Sequence, residues 1–225
     1  MKVGMNFFRA GYLQLLNQVL CISLFASSFM MGSPTRAQDV IYLDLGEVVI
    51  TGNPTDGYKY VPGVLEAIDA MRAQGKKVAL LSNIPESWGA TCEQKFEKLK
   101  DFVGSRLHED IPMDWRRFDF IVVPPFDRYR KPKPFMFLSA LSLGCPGRVA
   151  YVGEDLEEVE AASSLGLVSF QKLPDQGLPA GLDLERLLST FQFQYPDRCD
   201  LSPALEAAKE PVDVDVEIAA CVQTP

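Results

Sequence analysis

Four short apolar segments of this 225-residue chain are each followed by a side chain suited to phosphate chemistry. In chain order these side chains are Asp44, Ser82 with Asn83, Lys131, and Glu154 with Glu158. If the segments are parallel strands, their carboxyl ends share the edge where open α/β sheets bind ligands. One carboxylate could then act as nucleophile and metal ligand, a hydroxyl and a lysine could hold a phosphoryl group, and the acidic pair could hold Mg²⁺. The combination predicts phosphoryl transfer.

Each of these residues also has a structural interpretation that needs no ligand. The acidic residues after Gly153 could form a solvated first helical turn, which the helix dipole favours without any metal. A serine that ends a strand is commonly a turn or cap residue, and a lysine before proline is usually exposed. Asp44 fits such an interpretation less well, because a carboxylate directly after an apolar strand is costly to bury unpaired.

Short β-branched runs alternate with amphipathic stretches along residues 38–194. We predict strands over residues 40–44, 78–82, 120–123, 149–153 and 167–170. We predict helices over 61–74, within 90–103, over 134–143, and from the acidic phrase through Ser164. Strands regularly separated by helices predict an α/β fold with a doubly wound, mostly parallel, Rossmann-like sheet. These elements fill the intervals from Asp44 to Ser82 and from Ser82 to Lys131, so we expect a single domain without a sizeable insertion.

The four motifs, in this order, resemble those of the haloacid dehalogenase (HAD) superfamily over about residues 40–171. The matching segments are Tyr42–Val49 (YLDLGEVV), Ala79–Asn83 (ALLSN), Arg130–Pro134 (RKPKP), and Val152–Ala162 with Gly166 beyond it. The resemblance implies a capless phosphatase-type member with a divergent first motif. An open site of that kind would suit a bulky phosphorylated substrate.

The resemblance also implies a role for each motif residue. Asp44 would attack the substrate phosphorus and form an aspartyl-phosphate, while Ser82 and Lys131 would hold the phosphoryl oxygens. The implied ligands of Mg²⁺ are Asp44, the backbone carbonyl of Gly46, Glu154 and Glu158. The function expected from this set is Mg²⁺-dependent hydrolysis of a phosphomonoester.

Two departures from the family pattern bear on activity. Gly46 stands where phosphatases of this superfamily carry a general-acid aspartate, and Glu replaces Asp at positions 154 and 158. General acid–base catalysis contributes roughly 10²–10⁴-fold, so either Glu47 replaces the missing group, or water and substrate transfer the proton, or turnover is impaired. The alternative function is therefore a catalytically impaired HAD-like binding or scaffolding protein. Carbon–halogen hydrolysis fits less well, because the acidic fourth motif suits Mg²⁺.

The first 37 residues have the layout of a secretory signal peptide. They contain three basic and no acidic residues, an apolar stretch over 19–31, and small residues before a cleavage site after Ala37. An uncleaved anchor is the competing interpretation, but the apolar stretch is shorter than the roughly 20 residues a membrane span needs. We therefore expect an exported protein, periplasmic or secreted, with no stable membrane association after cleavage.

Charge limits the partners of the exported chain. The net charge of −8 becomes −11 without the three basic residues of the signal peptide. A negative surface disfavours nucleic acid as a partner, because phosphate backbones are bound through net positive contact charge. The expected partner is a phosphorylated substrate, which an open site would allow to be bulky, and the oligomeric state is not predicted.

Four cysteines follow the predicted cleavage site: Cys92, Cys145, Cys199 and Cys221. Their spacing contains no Cys-x-x-Cys pair, which disfavours zinc, and four cysteines allow three pairings. Residues 195–225 lack periodicity, so we predict an irregular acidic tail that a Cys199–Cys221 bridge would restrain. For Cys92 and Cys145, buried free thiols are the alternative.

Overall fold

The central strands of the main sheet form where apolar residues run almost without interruption, as in sheets that are covered on both faces. The computed structural model describes residues 38–174, 177–178, 204 and 220–224. The predicted signal peptide over residues 1–37, Cys199 and most of the predicted tail lie outside the described residues. Eight strands are described: β1 (Val40–Leu43), β2 (Ile50–Asn53), β3 (Gly57–Tyr60), β4 (Lys77–Leu81), β5 (Phe120–Val123), β6 (Val149–Gly153), β7 (Val168–Gln171) and β8 (Cys221–Gln223).

Six of these strands form one sheet in the order β7-β6-β1-β4-β5-β8. The first five pair in parallel, with β1 between β6 and β4, whereas β8 runs antiparallel to β5. The predicted mostly parallel sheet is therefore confirmed. Its order places the carboxyl ends of β6, β1, β4 and β5 side by side, and these four strands precede the four predicted motifs.

Four α-helices of the described segments cover the sheet: α1 (Val64–Ala73), α2 (Cys92–Gly104), α3 (Pro134–Gly144) and α4 (Leu156–Ser164). Buried residues of α1 and α2 pack with one face of the strands, and those of α3 and α4 pack with the opposite face. Side chains alternate between the two faces along each strand, so Ile41 and Tyr42 belong to different cores. The doubly wound arrangement is thus confirmed.

Local sequence explains where the helices begin. The helix predicted from residue 61 starts at Val64, because Gly63 precedes it with a φ of 78° in the left-handed region. Thr91 caps α2 through a reciprocal capping box with Gln94, and the Asp155 side chain accepts a hydrogen bond from the Glu157 N–H at the start of α4.

None of the helices in the described ranges has the length and apolar character needed to cross a bilayer.

A two-stranded hairpin formed by β2 and β3 follows Asp44 and was not predicted. Asn53 forms its turn by accepting hydrogen bonds from the backbone N–H groups of Thr55 and Asp56, at 2.9 Å each. Polar turn residues between two β-rich runs are typical of a hairpin, but the Gly and Pro residues of this stretch are equally typical of a loop. The interval between Asp44 and Ser82 therefore contains a small antiparallel unit in addition to α1.

The predicted Cys199–Cys221 bridge was wrong, because Cys221 bonds to Cys92 at the start of α2. Residues 221–223 of the tail that was predicted to be mostly irregular form β8 at the edge of the sheet. Cys145 is also disulfide-bonded. Neither Cys92 nor Cys145 is therefore a free thiol.

Candidate active site

Asp44 occupies the first position after β1, at the carboxyl edge of the sheet. Its backbone N–H donates to the Val152 carbonyl at 2.9 Å, which extends the pairing of β1 with β6 by one residue. Its side-chain Oδ1 accepts from the Leu45 N–H at 2.8 Å, and Oδ2 lies 3.1 Å from the Lys131 ammonium nitrogen. The carboxylate is therefore fixed by the backbone on one oxygen and by a cation on the other.

Lys131 has a side chain that is 0 % exposed and an ammonium group with three partners. Its Nζ lies 3.1 Å from Asp44 Oδ2, 2.7 Å from Glu158 Oε2 and 2.7 Å from the Tyr151 hydroxyl oxygen. An ammonium group has three hydrogens to donate, so each partner receives one. Contact between Lys131 and a phosphoryl oxygen would require one of these three bonds to be exchanged.

Asn83 connects the ends of β4 and β5 to α4. Its amide oxygen accepts from the Lys131 N–H at 2.8 Å, and its Nδ2 donates to the Lys131 carbonyl at 3.0 Å and to Glu158 Oε1 at 3.1 Å. The side chain thus holds both the backbone of Lys131 and the carboxylate that pairs with its ammonium group. The sequence placed Asn83 at this edge but indicated no contact for it.

Ser82 lies at the same edge, buried at the end of β4. Its backbone N–H donates to the Val122 carbonyl at 3.1 Å, in register with β5. The described network that joins Asp44, Lys131 and Glu158 runs through Asn83 and not through Ser82. The predicted phosphoryl contact of Ser82 thus stays a prediction.

Glu154, the first residue after β6, has one unsatisfied carboxylate oxygen. Its Oε2 is buried without a hydrogen-bond partner among the described residues. Burial, followed by the nearby Asp44 charge, raises the pKa of Glu154 to about 7. A buried carboxylate beside another needs a proton or a cation to be stable, so this group is suited to metal binding.

The donor set fits Mg²⁺ only in part. A carboxylate offers about four lone pairs. Glu158 uses three of them on Asn83, Lys131 and Tyr151, and both of those on Oε2 are engaged. Asp44 keeps one on each oxygen. No group of three or more His, Cys, Asp or Glu side chains in the described ranges is arranged to hold a metal.

Two carboxylates, from Asp44 and Glu154, therefore fit the predicted ligand role. Mg²⁺ is commonly held by one or two carboxylates together with waters and substrate phosphate. Glu158 was predicted as a ligand as well, but the structure places it against the Lys131 ammonium group instead.

Gly46 and Glu47 follow Asp44 in the turn that leads to β2. A Cβ atom on Gly46 would have nothing within 4 Å, so this position opens onto free space. The Glu47 carboxylate accepts hydrogen bonds from the Thr51 hydroxyl at 2.6 Å and the Gly52 N–H at 3.4 Å. Because Glu47 is engaged within the hairpin, it does not in this conformation take the place of the general acid that the family resemblance implies at position 46.

Tyr151 is the site residue that the sequence analysis missed. It lies within β6, with its ring packed against Phe137 in the core beneath α3 and α4. Its hydroxyl accepts from Lys131 and donates to Glu158 Oε2 at 2.6 Å. A Cβ atom on Gly153 would lie 2.6 Å from that hydroxyl oxygen. Residues two apart on a strand share a face, and this Tyr-x-Gly spacing is the signal that could have identified it.

The loops after β4 and β5 are tied together beside this network. The Glu86 N–H donates to Asp127 Oδ1 at 2.9 Å, and the Asp127 N–H donates back to Glu86 Oε2 at 3.2 Å. Arg130 Nε donates to the Ile84 carbonyl at 3.2 Å. These bonds hold the segment that carries Lys131 against the end of β4.

No model of a known protein family matches the chain, and no curated protein matches it either. Among solved structures, the chain is similar to the D,D-heptose 1.7-bisphosphate phosphatase from B. bronchiseptica, which was crystallised with magnesium and phosphate. That similarity has 17% identity, covers 72% of this chain and 94% of that chain, and has a TM-score of 0.40.

A Thermotoga maritima protein described as a beta-phosphoglucomutase is similar over 58% of this chain and 53% of its own, with 25% identity and a TM-score of 0.36. With TM-scores this low, neither similarity establishes the activity of this chain, and the function must be argued from the site.

Proposed function

We propose that the protein is an exported, Mg²⁺-dependent phosphomonoester hydrolase of the HAD type that acts through an aspartyl-phosphate. One observation carries this proposal. The Asp44 carboxylate is held 3.1 Å from a fully buried lysine, at the sheet edge where Glu154 Oε2 also lies without a hydrogen-bond partner among the described residues. A charge-compensated carboxylate with free lone pairs is able to attack phosphorus, and a second carboxylate with an oxygen left unsatisfied is able to bind a cation.

Asp44 is the nucleophile in this proposal. A bond forms between an Asp44 oxygen and phosphorus while the bond from phosphorus to the leaving oxygen breaks, and that oxygen takes a proton from a water molecule, since Gly46 has no side chain to supply one. A second water molecule then attacks the phosphorus of the aspartyl-phosphate and gives a proton to the hydroxide left by the first step, which releases inorganic phosphate and regenerates the Asp44 carboxylate. Lys131 balances the charge of the carboxylate before attack and between turnovers.

Asp44, Glu154 and the Gly46 carbonyl would hold Mg²⁺, which would neutralise negative charge on the phosphoryl oxygens when bound. Glu154 is half-buried near Asp44, with its Oε2 shielded from solvent, so that ionisation without a cation is unfavourable. Glu158 acts on Lys131 instead.

The proposal also includes export of the protein and an active site that is open to bulky substrates. The Cys92–Cys221 disulfide is consistent with an oxidising compartment, where such bonds persist. A bulky phosphorylated substrate suits a domain whose only described insertion after Asp44 is a short hairpin. Nucleic acid is disfavoured by the negative charge of the chain.

The test is hydrolysis of an aryl phosphate by the purified protein, with and without Mg²⁺. We expect Mg²⁺-dependent release of phosphate that falls at least about 10³-fold in Asp44→Asn, because the amide is a far weaker nucleophile. Asp110→Asn is the matched control, since Asp110 is exposed, and its activity should equal that of the unchanged protein. Absence of activity on a broad phosphoester panel would reject the proposal, whether or not the protein binds Mg²⁺.

A second candidate is a binding protein that has lost turnover. Gly46 favours it, because the general-acid side chain is missing, and so do the three occupied hydrogens of Lys131. Binding of Mg²⁺ and of a phosphate analogue such as orthovanadate, without hydrolysis of any panel substrate, would identify this case.

A further inference from the structure

If Lys131 had no partners other than the two carboxylates, Glu158 would attract its ammonium group away from Asp44. The ammonium nitrogen lies 2.7 Å from Glu158 Oε2 but 3.1 Å from Asp44 Oδ2, so the closer ion pair is the one with Glu158. Glu158 is in turn held in place by Asn83. The position of the ammonium group relative to the nucleophile therefore depends on what else binds Lys131 and Glu158.

The Tyr151 hydroxyl is the group that binds both. It has one hydrogen, which it donates to Glu158 Oε2 at 2.6 Å, so it can only accept from Lys131 at 2.7 Å. The donated bond stabilises the negative charge on Glu158, and the accepted bond fixes the direction of a second N–H of the ammonium group. The third ammonium hydrogen is then directed to Asp44.

The rest of β6 is shaped to allow this contact. Gly153 leaves room for the hydroxyl, since a Cβ atom there would lie 2.6 Å from it and 2.8 Å from a ring carbon. The ring is buried against Phe137 and below the Lys131 ammonium, which lies 4.9 Å from its centroid. Burial, followed by the Asp44 and Glu158 charges, raises the pKa of Tyr151 far above its ordinary value, so the hydroxyl remains a donor.

We infer that Tyr151 is a positioning residue, which orients the Lys131 ammonium group toward Asp44 by bridging Lys131 and Glu158 through its hydroxyl. This inference rests on the proposed function for its catalytic consequence, but the bridge itself is a property of the folded protein. Tyr151 touches no reacting atom in this scheme and acts only through Lys131.

The test compares Tyr151→Phe with Tyr42→Phe in the full chain. Tyr42 is a matched control, because its hydroxyl is also buried in the same core but has no hydrogen-bond partner among the described residues. We expect Tyr151→Phe to lower kcat about tenfold, with KM changed by less than about threefold, because a hydrogen bond to a charged group is lost while substrate contacts remain. Tyr42→Phe should leave both constants unchanged.

A second measurement does not depend on turnover. The Lys131 ammonium protons can be observed by ¹H–¹⁵N NMR and assigned by their absence in Lys131→Met. Because the ammonium group has three partners and the side chain is not exposed, these protons should exchange slowly with solvent. In Tyr151→Phe one partner is lost, and the exchange should be about tenfold faster. Tyr42→Phe should exchange at the original rate.

Gly153→Ala provides a variant that keeps the phenol but displaces it. The added methyl group occupies the space of the hydroxyl, so we expect the same direction of change in kcat and in ammonium exchange. Unchanged ammonium exchange in Tyr151→Phe would overturn the inference, and so would an unchanged kcat. If the unchanged protein hydrolyses no phosphoester while the exchange difference is observed, the proposed function fails and the bridge stands.

Discussion

The Lys131 ammonium nitrogen lies 3.1 Å from Asp44 Oδ2 in a site that leaves no part of the lysine side chain exposed. A buried charge is stable only when it is paired, and here one cation serves two carboxylates, since Glu158 lies 2.7 Å away. The relationship makes Lys131 a structural requirement of the site, in addition to the catalytic role proposed for it.

Replacing Lys131 with methionine should therefore destabilise the fold. The change leaves Asp44 and Glu158 as buried carboxylates without their cation, and we expect a loss of about 3 kcal/mol in the free energy of unfolding. Lys133→Met is the control, because Lys133 is exposed in the same segment, and it should change stability by less than about 0.5 kcal/mol. Chemical denaturation measures both, and equal stability of the two variants would contradict the expectation.

The stability of the metal-free protein should depend on pH through Glu154. Burial and the Asp44 charge raise its pKa from 4.5 to about 7 in the folded state. Because the folded protein then binds this proton more tightly than the unfolded chain, Glu154 contributes most to stability below pH 4.5. That contribution should decrease as the pH rises from 4.5 to about 7 and stay constant above it.

Glu154→Gln should remove this part of the pH dependence, because glutamine does not ionise. Denaturation in EDTA at several pH values measures it, with the exposed Glu160→Gln as the control. Mg²⁺ at pH 8 should raise the melting temperature of the unchanged protein and of Glu160→Gln but not of Glu154→Gln. An equal rise in all three would show that Glu154 does not hold the metal.

Gly46→Asp should restore a general acid to the site. The position is open, with nothing within 4 Å of an added Cβ, so the side chain can be accommodated. We expect kcat to rise by about 10²-fold, the lower end of what general acid–base catalysis contributes. Gly46→Asn is the matched control, of the same size but without a proton to transfer. A gain shared equally by both variants would point to a steric effect.

The Cys92–Cys221 disulfide should stabilise the edge of the sheet next to β5. It links residues separated by 129 positions and holds β8, a strand of only three residues. Replacing both cysteines with serine should lower the free energy of unfolding by about 2–5 kcal/mol. Hydrogen exchange should increase more in β5 than in β1. Loss of β8 would leave β5 paired on one side only, whereas β1 would keep both of its parallel partners. Equal increases in the two strands would contradict this.

The local sequence pattern alone predicts the parallel sheet, the helices on both of its faces and the sheet edge that carries the site. Uninterrupted apolar runs followed by Asp44, Lys131 and Glu154 predict strands whose polar ends meet at one edge, since parallel strands in a doubly wound sheet align their carboxyl ends. The alternation of strands and helices likewise predicts helices on both faces, and the structure confirms both. These features depend on short-range periodicity, which a single sequence displays directly.

Contacts between distant side chains were decided only by the tertiary structure. Tyr151 reaches Lys131 and Glu158 because β6 and α4 bring them together and Gly153 leaves space for the hydroxyl. Glu158 therefore pairs with a lysine, although the acidic residues around it in the sequence predict a metal-binding group. Cys221 likewise meets Cys92 because β8 adds to the β5 edge. Such partners follow from strand order and side-chain direction, which residue types along the chain do not encode individually.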